Sequence, residues 1–323
     1  MKIRLLTLLC SVLALFSITF ATAQSNISIG VRGGATIPGF TGGQGDPVSE
    51  GYSTALRMGA GIFAEFKISE IFSIQPMLEY SQQGAKRSGM QALVATDTDP
   101  QLAGAFQQAW QGALSSAPQL AMLSQLGLPA NFPAAPQYLY ANAKRDAKMD
   151  YLMLPVLAKF GWNFTKESPW RVYVSAGPFV GLLLNAKNIV SIDGSVYADK
   201  SGSSLIQLPD AVTSQLPPAM LPALAGAVSQ ISDGLAGNMA DNMSGTQDIK
   251  DQLNKFNCGL EGNIGLQYKI NPRNKVFLEA GGNYGLMNIQ KSTGKDADGK
   301  KQYLNGKNHI GAATVMLGYA YSL

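Results

Sequence analysis

The chain has 323 residues, of which only 14% are charged and 35 are glycine, whereas soluble domains average about 25% charged residues and about 7% glycine. The formal charge is +4, and 2 cysteines with 1 histidine give no basis for a disulfide framework or a Cys/His metal cluster. This composition argues against an ordinary cytoplasmic enzyme. It also predicts no nucleic-acid partner and no cofactor.

The first segment, residues 1–23, has the pattern of an export signal. Lys2 and Arg4 precede a long apolar stretch, and Ala21-Thr22-Ala23 supplies the small residues of a signal peptidase site. We therefore expect a signal peptide followed by a mature chain of 24–323. Beyond this segment no apolar run approaches the roughly 18 residues that a transmembrane helix needs, so a helical membrane protein is excluded.

Eight segments of the mature chain alternate between apolar residues and small or polar ones, which is the period of a β-strand with two different faces. In one of the clearest, Leu260 and Ile264 share one face while Glu261 and Asn263 share the other. Each segment is long enough to cross a bilayer as a tilted strand, which takes about 9 to 11 residues. The predicted strands cover residues 26–36, 56–68, 72–84, 151–162, 170–187, 256–269, 276–289 and 310–323.

The connections between these strands alternate short and long, as they do in outer-membrane barrels. The short turns are 69–71, 163–169 and 271–274, and the long loops are 37–54, 85–150, 188–255 and 290–308. Because short turns of such barrels face the periplasm, the long loops face outside. The sequence predicts an all-β protein, an eight-stranded antiparallel transmembrane β-barrel over 24–323 in the outer membrane. A soluble secreted β-sandwich is the alternative.

Aromatic residues on the predicted lipid face gather at the ends of the strands that meet the short turns. Amphipathic rings settle at the level of the lipid headgroups, so these residues predict a periplasmic girdle against outer-membrane lipid. Its members are Phe66, Phe72, Phe160, Trp162, Trp170, Tyr268, Tyr319 and Tyr321.

Charged residues of both signs fall on the inward face of the same strands. An eight-stranded barrel encloses a lumen that side chains roughly fill, and an unpaired charge there would be costly. We therefore expect a hydrogen-bonded network of ion pairs; a narrow charge-lined channel is the functional alternative. The expected lumen network consists of Arg32, Arg57, Glu65, Glu79, Lys159, Arg171, Glu261 and Glu279, with Lys269 also pointing inward.

Two of the long loops, 85–150 and 188–255, are unusually large and poor in charge. Proline-preceded stretches at 101–115, 119–126 and 220–239 have the start signals and the apolar spacing of amphipathic helices. Their apolar stripes either pack as a lid over the barrel mouth or form a docking surface for another envelope protein or an apolar ligand. The candidate partner surface consists of Leu102, Phe106, Trp110, Leu221, Leu224 and Val228.

Signals for chemistry are weak. His309 has no nucleophilic serine with an acid partner near it in sequence. Asp296 and Asp298 open a segment that lacks the later ligands of a calcium loop. Cys258 falls on the predicted lipid face and is explained as a small apolar residue. We expect no catalytic residue, no metal site and no enzymatic activity.

Three segments resemble the PorT-type outer-membrane β-barrel proteins of Bacteroidota: Phe72-Ser-Ile-Gln-Pro-Met-Leu-Glu-Tyr-Ser-Gln-Gln-Gly84, Tyr151-Leu-Met-Leu-Pro-Val-Leu157 and Ala176-Gly-Pro178. The resemblance covers all eight strands. It implies the barrel fold and, by analogy, a part in a protein-secretion apparatus. From the residues themselves we expect a binding or assembly role without catalysis, and a narrow solute channel remains the alternative.

Overall fold

The sequence folds into a closed antiparallel β-barrel, which confirms the predicted fold class. The computed structural model describes residues 26–42, 47–48, 50–95, 104, 108, 136–207, 213–214, 217–295, 299–303 and 307–323. The expected signal peptide, the helices expected at 101–115 and 119–126, and the pair Asp296 and Asp298 lie outside these residues, apart from positions 104 and 108. Among the described residues, no helix combines the length and apolar character needed to cross a membrane.

The described chain contains eleven strands and one α-helix. The strands are β1 Ile27–Gly42, β2 Arg57–Lys67, β3 Phe72–Ala95, β4 Tyr138–Asn163, β5 Trp170–Tyr197, β6 Gly245–Asp248, β7 Phe256–Lys269, β8 Asn274–Gly285, β9 Ser292–Lys295, β10 Lys301–Tyr303 and β11 Asn308–Ser322. The helix, α1, spans Leu221–Met243, and a 3₁₀ turn follows at Lys250–Gln252.

Eight of the strands form the barrel wall. Each strand pairs with the next in the order β1, β2, β3, β4, β5, β7, β8 and β11, and β11 returns to pair with β1 from Ser28↔Ser322 to Gly42↔Asn308. Where the eight strands overlap, this closure leaves no free sheet edge, which is the condition for placing strands in a hydrocarbon environment. The short β6 pairs with β5 on the edge that β7 also uses, beyond the end of β7, and β9 pairs only with β10.

Four strands are longer at the long-loop end than the sequence predicted. Residues that we assigned to loops 37–54, 85–150 and 188–255 continue β1 to Gly42, β3 to Ala95 and β5 to Tyr197, and they start β4 at Tyr138. Alternation persists in these extensions, but most of the buried positions are alanine or polar, such as Ala141, Ala143 and Gln91. Because alanine is only weakly apolar, the alternation of apolar and polar residues is hard to recognise in the sequence before the strands end.

Helix α1 packs against these extensions. Apolar side chains from the helix, from the extended parts of β3, β4 and β5, and from Leu205 and Ile206 form one buried cluster. We call this region, residues 85–95, 138–150, 188–207 and 217–243, the outer module. The sequence predicted this helix at 220–239, and in the structure it continues for four more residues to Met243.

One of the irregular places in the barrel wall lies between β2 and β3. The pairing stops after Phe63↔Met77 and resumes at Phe66↔Ile74, and Pro76 lies in this gap. Proline has no N–H to donate to a strand ladder. On the lipid-facing side an apolar groove of about 600 Å³ lies here, lined by residues including Ile29, Ile62 and Leu78.

Candidate functional site

The centre of the barrel interior is occupied by the side chain of Arg32, which projects inward from β1. Its Nε and Nη2 donate to Glu79 of β3, Nη2 also donates to Oε1 of Glu261 of β7 at 2.7 Å, and Nη1 donates to Oε2 of Glu279 of β8 at 3.0 Å. All four side chains are almost completely buried. One guanidinium therefore ties together three carboxylates from three other strands.

The charges of this central cluster are not balanced, unlike the mixture of signs that the sequence suggested for the lumen as a whole. One arginine faces three glutamates, which gives a formal charge of −2 when all are ionised. Glu261 Oε2 is buried without a hydrogen-bond partner among the described residues. Because buried charges are costly unless paired, the cluster depends on Arg32.

Apolar layers lie on both sides of the central cluster. Towards the short turns the layer contains Phe63, Met77, Leu157, Tyr173, Phe277 and Ala320. Towards the long loops it contains Met149, Tyr151, Met153, Phe179, Leu183, Ala186, Leu253, Ile289 and Ile310. The sequence predicted a polar lumen. In the structure only its centre is polar, and an apolar layer lies on each side of that centre.

Glycines of the neighbouring strands make room for the large inward rings. A Cβ on Gly265 would lie 2.1 Å from Cζ of Tyr173, and a Cβ on Gly318 would lie 2.0 Å from Cζ of Phe277. The Tyr173 hydroxyl also donates to Glu279 Oε1 at 2.8 Å. Tyr173 is not among the residues predicted from the sequence, although its inward parity on the strand predicted at 170–187 is a signal for this position.

The other residues of the expected lumen network do not join the Arg32 cluster. Lys159 Nζ lies 3.1 Å from Glu65 Oε2 and 4.0 Å from the centre of the Tyr173 ring. Arg57 bonds to Asp146 of β4, whose other carboxylate oxygen is 3.8 Å from Lys148 Nζ. The expected single network is therefore separate groups, because strand register places these residues at different heights along the barrel.

Arg171 lies at the short-turn end and bonds to backbone instead of to a carboxylate. Its Nη2 donates to the carbonyl oxygen of Glu70 at 2.9 Å. Together with Lys269 it lines a polar cavity of about 550 Å³ at this mouth of the barrel. Arg171 is thus a rim residue of this cavity.

The structure places the eight expected girdle residues on the outer face at the short-turn end. Phe72 and Phe160 have ring centres 4.9 Å apart, and Trp170 and Tyr268 have ring centres 4.7 Å apart. All eight rings are partly or fully exposed on the outer face, the others being Phe66, Trp162, Tyr319 and Tyr321.

The expected partner surface on the long loop 188–255 is contradicted for two of its residues. Leu224 and Val228 are each only 4% exposed, and Leu221 packs against the same cluster. The extensions of β3, β4 and β5, which the sequence did not reveal, cover this stripe of the helix. The remaining candidates, Leu102, Phe106 and Trp110, lie outside the described residues.

Residues with possible reactivity have ordinary surroundings. His309 Nδ1 is 3.3 Å from the carbonyl oxygen of Gly285, and its ring stacks on Tyr284 with centres 6.1 Å apart. Cys258 is exposed on the outer face. The described part of the chain holds no group of three or more His, Cys, Asp or Glu side chains suited to a metal ion. In the turn that follows β5, hydrogen bonds from Ser201 and Ser203 lower the pKa of the Asp199 carboxyl below its usual range.

These features define the class of protein. Exposed apolar side chains such as Val31, Ile62 and Leu317 cover the outer face, a charged cluster lies at the centre of the interior, and a ring of aromatic residues marks one end. A closed barrel with an apolar outside and polar groups inside is a transmembrane β-barrel.

Comparison with known proteins gives the family. The sequence model of the outer membrane protein beta-barrel domain matches residues 22–291, so the chain belongs to this family and is located in the outer membrane. No curated protein sequence matches the chain.

Several solved structures are similar at low identity. Neisserial surface protein A has 11% identity and a TM-score of 0.32, over 92% of this chain and 97% of that one. Ail of Yersinia pestis has 9% identity and a TM-score of 0.31, over 92% and 99%. The outer membrane protease OmpT of Escherichia coli has 10% identity and a TM-score of 0.38, over 94% and 99%.

Proposed function

We propose that the protein acts in the outer membrane by binding another envelope protein through its long-loop end, without conducting solutes and without catalysis. The observation that carries the proposal is the filled interior. Arg32 ties strands β1, β3, β7 and β8 together at mid-height, and apolar side chains occupy the lumen above and below it. A barrel whose interior is committed to packing can act only through its surfaces.

The outer module offers the surface for this role. It is ordered around its own buried cluster, and the exposed face of α1 carries small uncharged residues such as Ala223, Ala225, Gly226 and Ser229. Small side chains let the backbone of a partner approach closely. His309 has no catalytic step in this proposal: its Nδ1 lies 3.3 Å from the carbonyl oxygen of Gly285 and its ring stacks on Tyr284.

Planar-bilayer recording of the purified protein tests the closed interior. We expect no steady conductance, because an ion would have to cross two apolar layers and displace the Arg32 cluster. A reproducible open level with ion selectivity would contradict the proposal and favour the solute-channel alternative.

Site-specific photo-crosslinking in intact cells tests the docking role. We expect a crosslinker placed at Ala225, on the exposed face of α1, to capture a discrete envelope protein. The same crosslinker at Ile264, on the lipid-facing wall, serves as the control and should capture none. Equal capture from both positions would contradict docking through α1.

We further propose that the chain belongs to the PorT-type branch of its family. The support is the resemblance of three segments, each of which contributes a proline to adjacent barrel strands: Pro76 in β3, Pro155 in β4 and Pro178 in β5. A role in a secretion apparatus follows from this resemblance as the alternative function. Loss of secreted cargo in a deletion strain would favour that alternative over a docking role unrelated to secretion.

A further inference from the structure

We propose that the short-turn mouth of the barrel is a binding site for a phosphate-bearing anion presented from the periplasm. The mouth holds a polar cavity of about 550 Å³, which lies within the usual size of ligand sites, about 300 to 1,000 Å³. This proposal goes beyond the docking role, because the cavity lies at the end opposite to the outer module.

Cations dominate the lining of the cavity. Five basic side chains line it, while the acidic ones are Glu65 and Glu167. Glu65 is already engaged by Lys159 at 3.1 Å and by the Ser73 hydroxyl at 2.7 Å. The basic residues are Lys67, Lys166, Arg171, Lys269 and Lys275. A cleft lined by one sign of charge focuses its field and raises the local concentration of the opposite ion.

The direction of these side chains follows from the strands that carry them. Lys67, Arg171, Lys269 and Lys275 lie on β2, β5, β7 and β8, at positions with the same parity as the buried inward residues of those strands. The outward positions at this level carry the aromatic girdle. The cations of four separate strands therefore converge on the lumen and not on the surrounding lipid.

The lysine ammonium groups at the mouth form no close ion pair among the described residues, although Glu65 lies near enough to attract Lys275. Within the described residues, no carboxylate lies within 4.0 Å of the Nζ atoms of Lys67, Lys166, Lys269 or Lys275. Lys275 Nζ lies 3.3 Å from the Ser28 hydroxyl, and Arg171 bonds to a backbone carbonyl. A phosphate group, with several charged acceptor oxygens, can accept charge-assisted hydrogen bonds from more than one of these donors.

The floor of the cavity makes it a binding site and not a passage. The apolar layer containing Phe63, Tyr173 and Phe277 closes the lumen above the mouth. Beyond that layer, the excess of glutamates around Arg32 repels a second anion. A bound anion would therefore stop at the level of the lysines.

Isothermal titration calorimetry with inorganic pyrophosphate tests the proposal on the full mature protein in an uncharged detergent. We expect saturable binding by the wild type at physiological ionic strength, and at least a tenfold weaker affinity in the double variant Lys269→Gln/Lys275→Gln. The control variant, Lys144→Gln/Lys148→Gln, removes the same charge from the outer module and should bind as the wild type does. Heat-dependent gel mobility confirms that each variant is folded.

A second measurement distinguishes a soluble ligand from a lipid headgroup. Native mass spectrometry reports whether phosphatidylglycerol remains bound after purification from vesicles containing it. If phosphatidylglycerol is retained only when Lys269 and Lys275 are present, and pyrophosphate does not bind, the site recognises the phosphate group of a lipid and not a soluble anion. No binding of either probe, or equal weakening in both double variants, would overturn the proposal.

Discussion

The hydroxyl of Tyr173 on β5 donates a 2.8 Å hydrogen bond to Oε1 of Glu279 on β8, across the interior of the barrel. The same glutamate accepts from Arg32 through its other oxygen, and the Tyr173 ring lies against Gly265 of β7. One aromatic residue therefore connects the apolar layer near the mouth to the charged cluster at the centre.

Replacing Tyr173 by phenylalanine should destabilise the barrel. The ring would still fill the space over Gly265, but Glu279 would lose a buried hydrogen bond, and bonds to charged groups contribute about 1.5 to 3 kcal/mol. Tyr151→Phe is the matched control, since the Tyr151 hydroxyl is buried with no hydrogen-bond partner among the described residues. Urea-dependent unfolding in lipid vesicles measures the free energy of unfolding of both variants. A larger loss in Tyr151→Phe would contradict the assigned bond.

Removing the arginine at the centre should be more damaging. Arg32→Met leaves three carboxylates without their cation, and breaking a buried ion pair in this way costs about 3 to 5 kcal/mol. Adding Glu79→Gln, Glu261→Gln and Glu279→Gln to Arg32→Met should restore part of the folded fraction seen by heat-dependent gel mobility. If the glutamine changes give no recovery, the cost of losing Arg32 does not come from unpaired charge.

Gly265→Ala should disrupt the packing of the interior. The added Cβ would stand 2.1 Å from Cζ of Tyr173, and overpacking of this kind costs about 1 to 3 kcal/mol. Gly262→Ala on the same strand is the control, because its nearest neighbour would be the Ser175 carbonyl oxygen at 3.8 Å. Unfolding midpoints in urea should separate the two variants, and equal midpoints would show that the ring of Tyr173 moves aside freely.

Spin labels on β7 should report its two faces. In a Cys258→Ser background, a label at Ile264, which is 63% exposed on the outer wall, should collide readily with lipid-dissolved oxygen. A label at Asn263, whose side chain is buried and donates to Glu261 at 3.0 Å, should be protected. The reverse result would mean that the strand is shifted by one residue, which exchanges its faces.

Helix α1 should detach from the outer module when a charge is placed in its buried face. Leu224→Asp puts a carboxylate into the apolar cluster with Leu139 and Ile206, and burying a charge among apolar side chains is costly. External protease should then cut the helix while the barrel remains inserted. Ala225→Asp, on the exposed face, should leave the helix protected. Protection of both variants would contradict the packing of α1.

The amino-acid sequence by itself determined the elements that depend on local pattern. Period-two alternation gave eight membrane-crossing strands, and β7 begins and ends at the predicted residues, Phe256 and Lys269. It also placed Arg32, Glu79, Glu261 and Glu279 on the inward face, since successive side chains of a strand point to opposite sides. These properties follow from neighbouring residues alone.

Only the tertiary structure decided which of these residues meet. Arg32 is separated from Glu79, Glu261 and Glu279 by 47, 229 and 247 positions, and their contact requires the register of every strand pair around the closed ring. The same holds for Leu224 and Val228. Their apolar stripe predicted that the helix packs against something, but the sequence did not show which residues bury it. Their cover comes from strand extensions rich in alanine, where burial arises from the neighbours and not from strong hydrophobicity in the sequence.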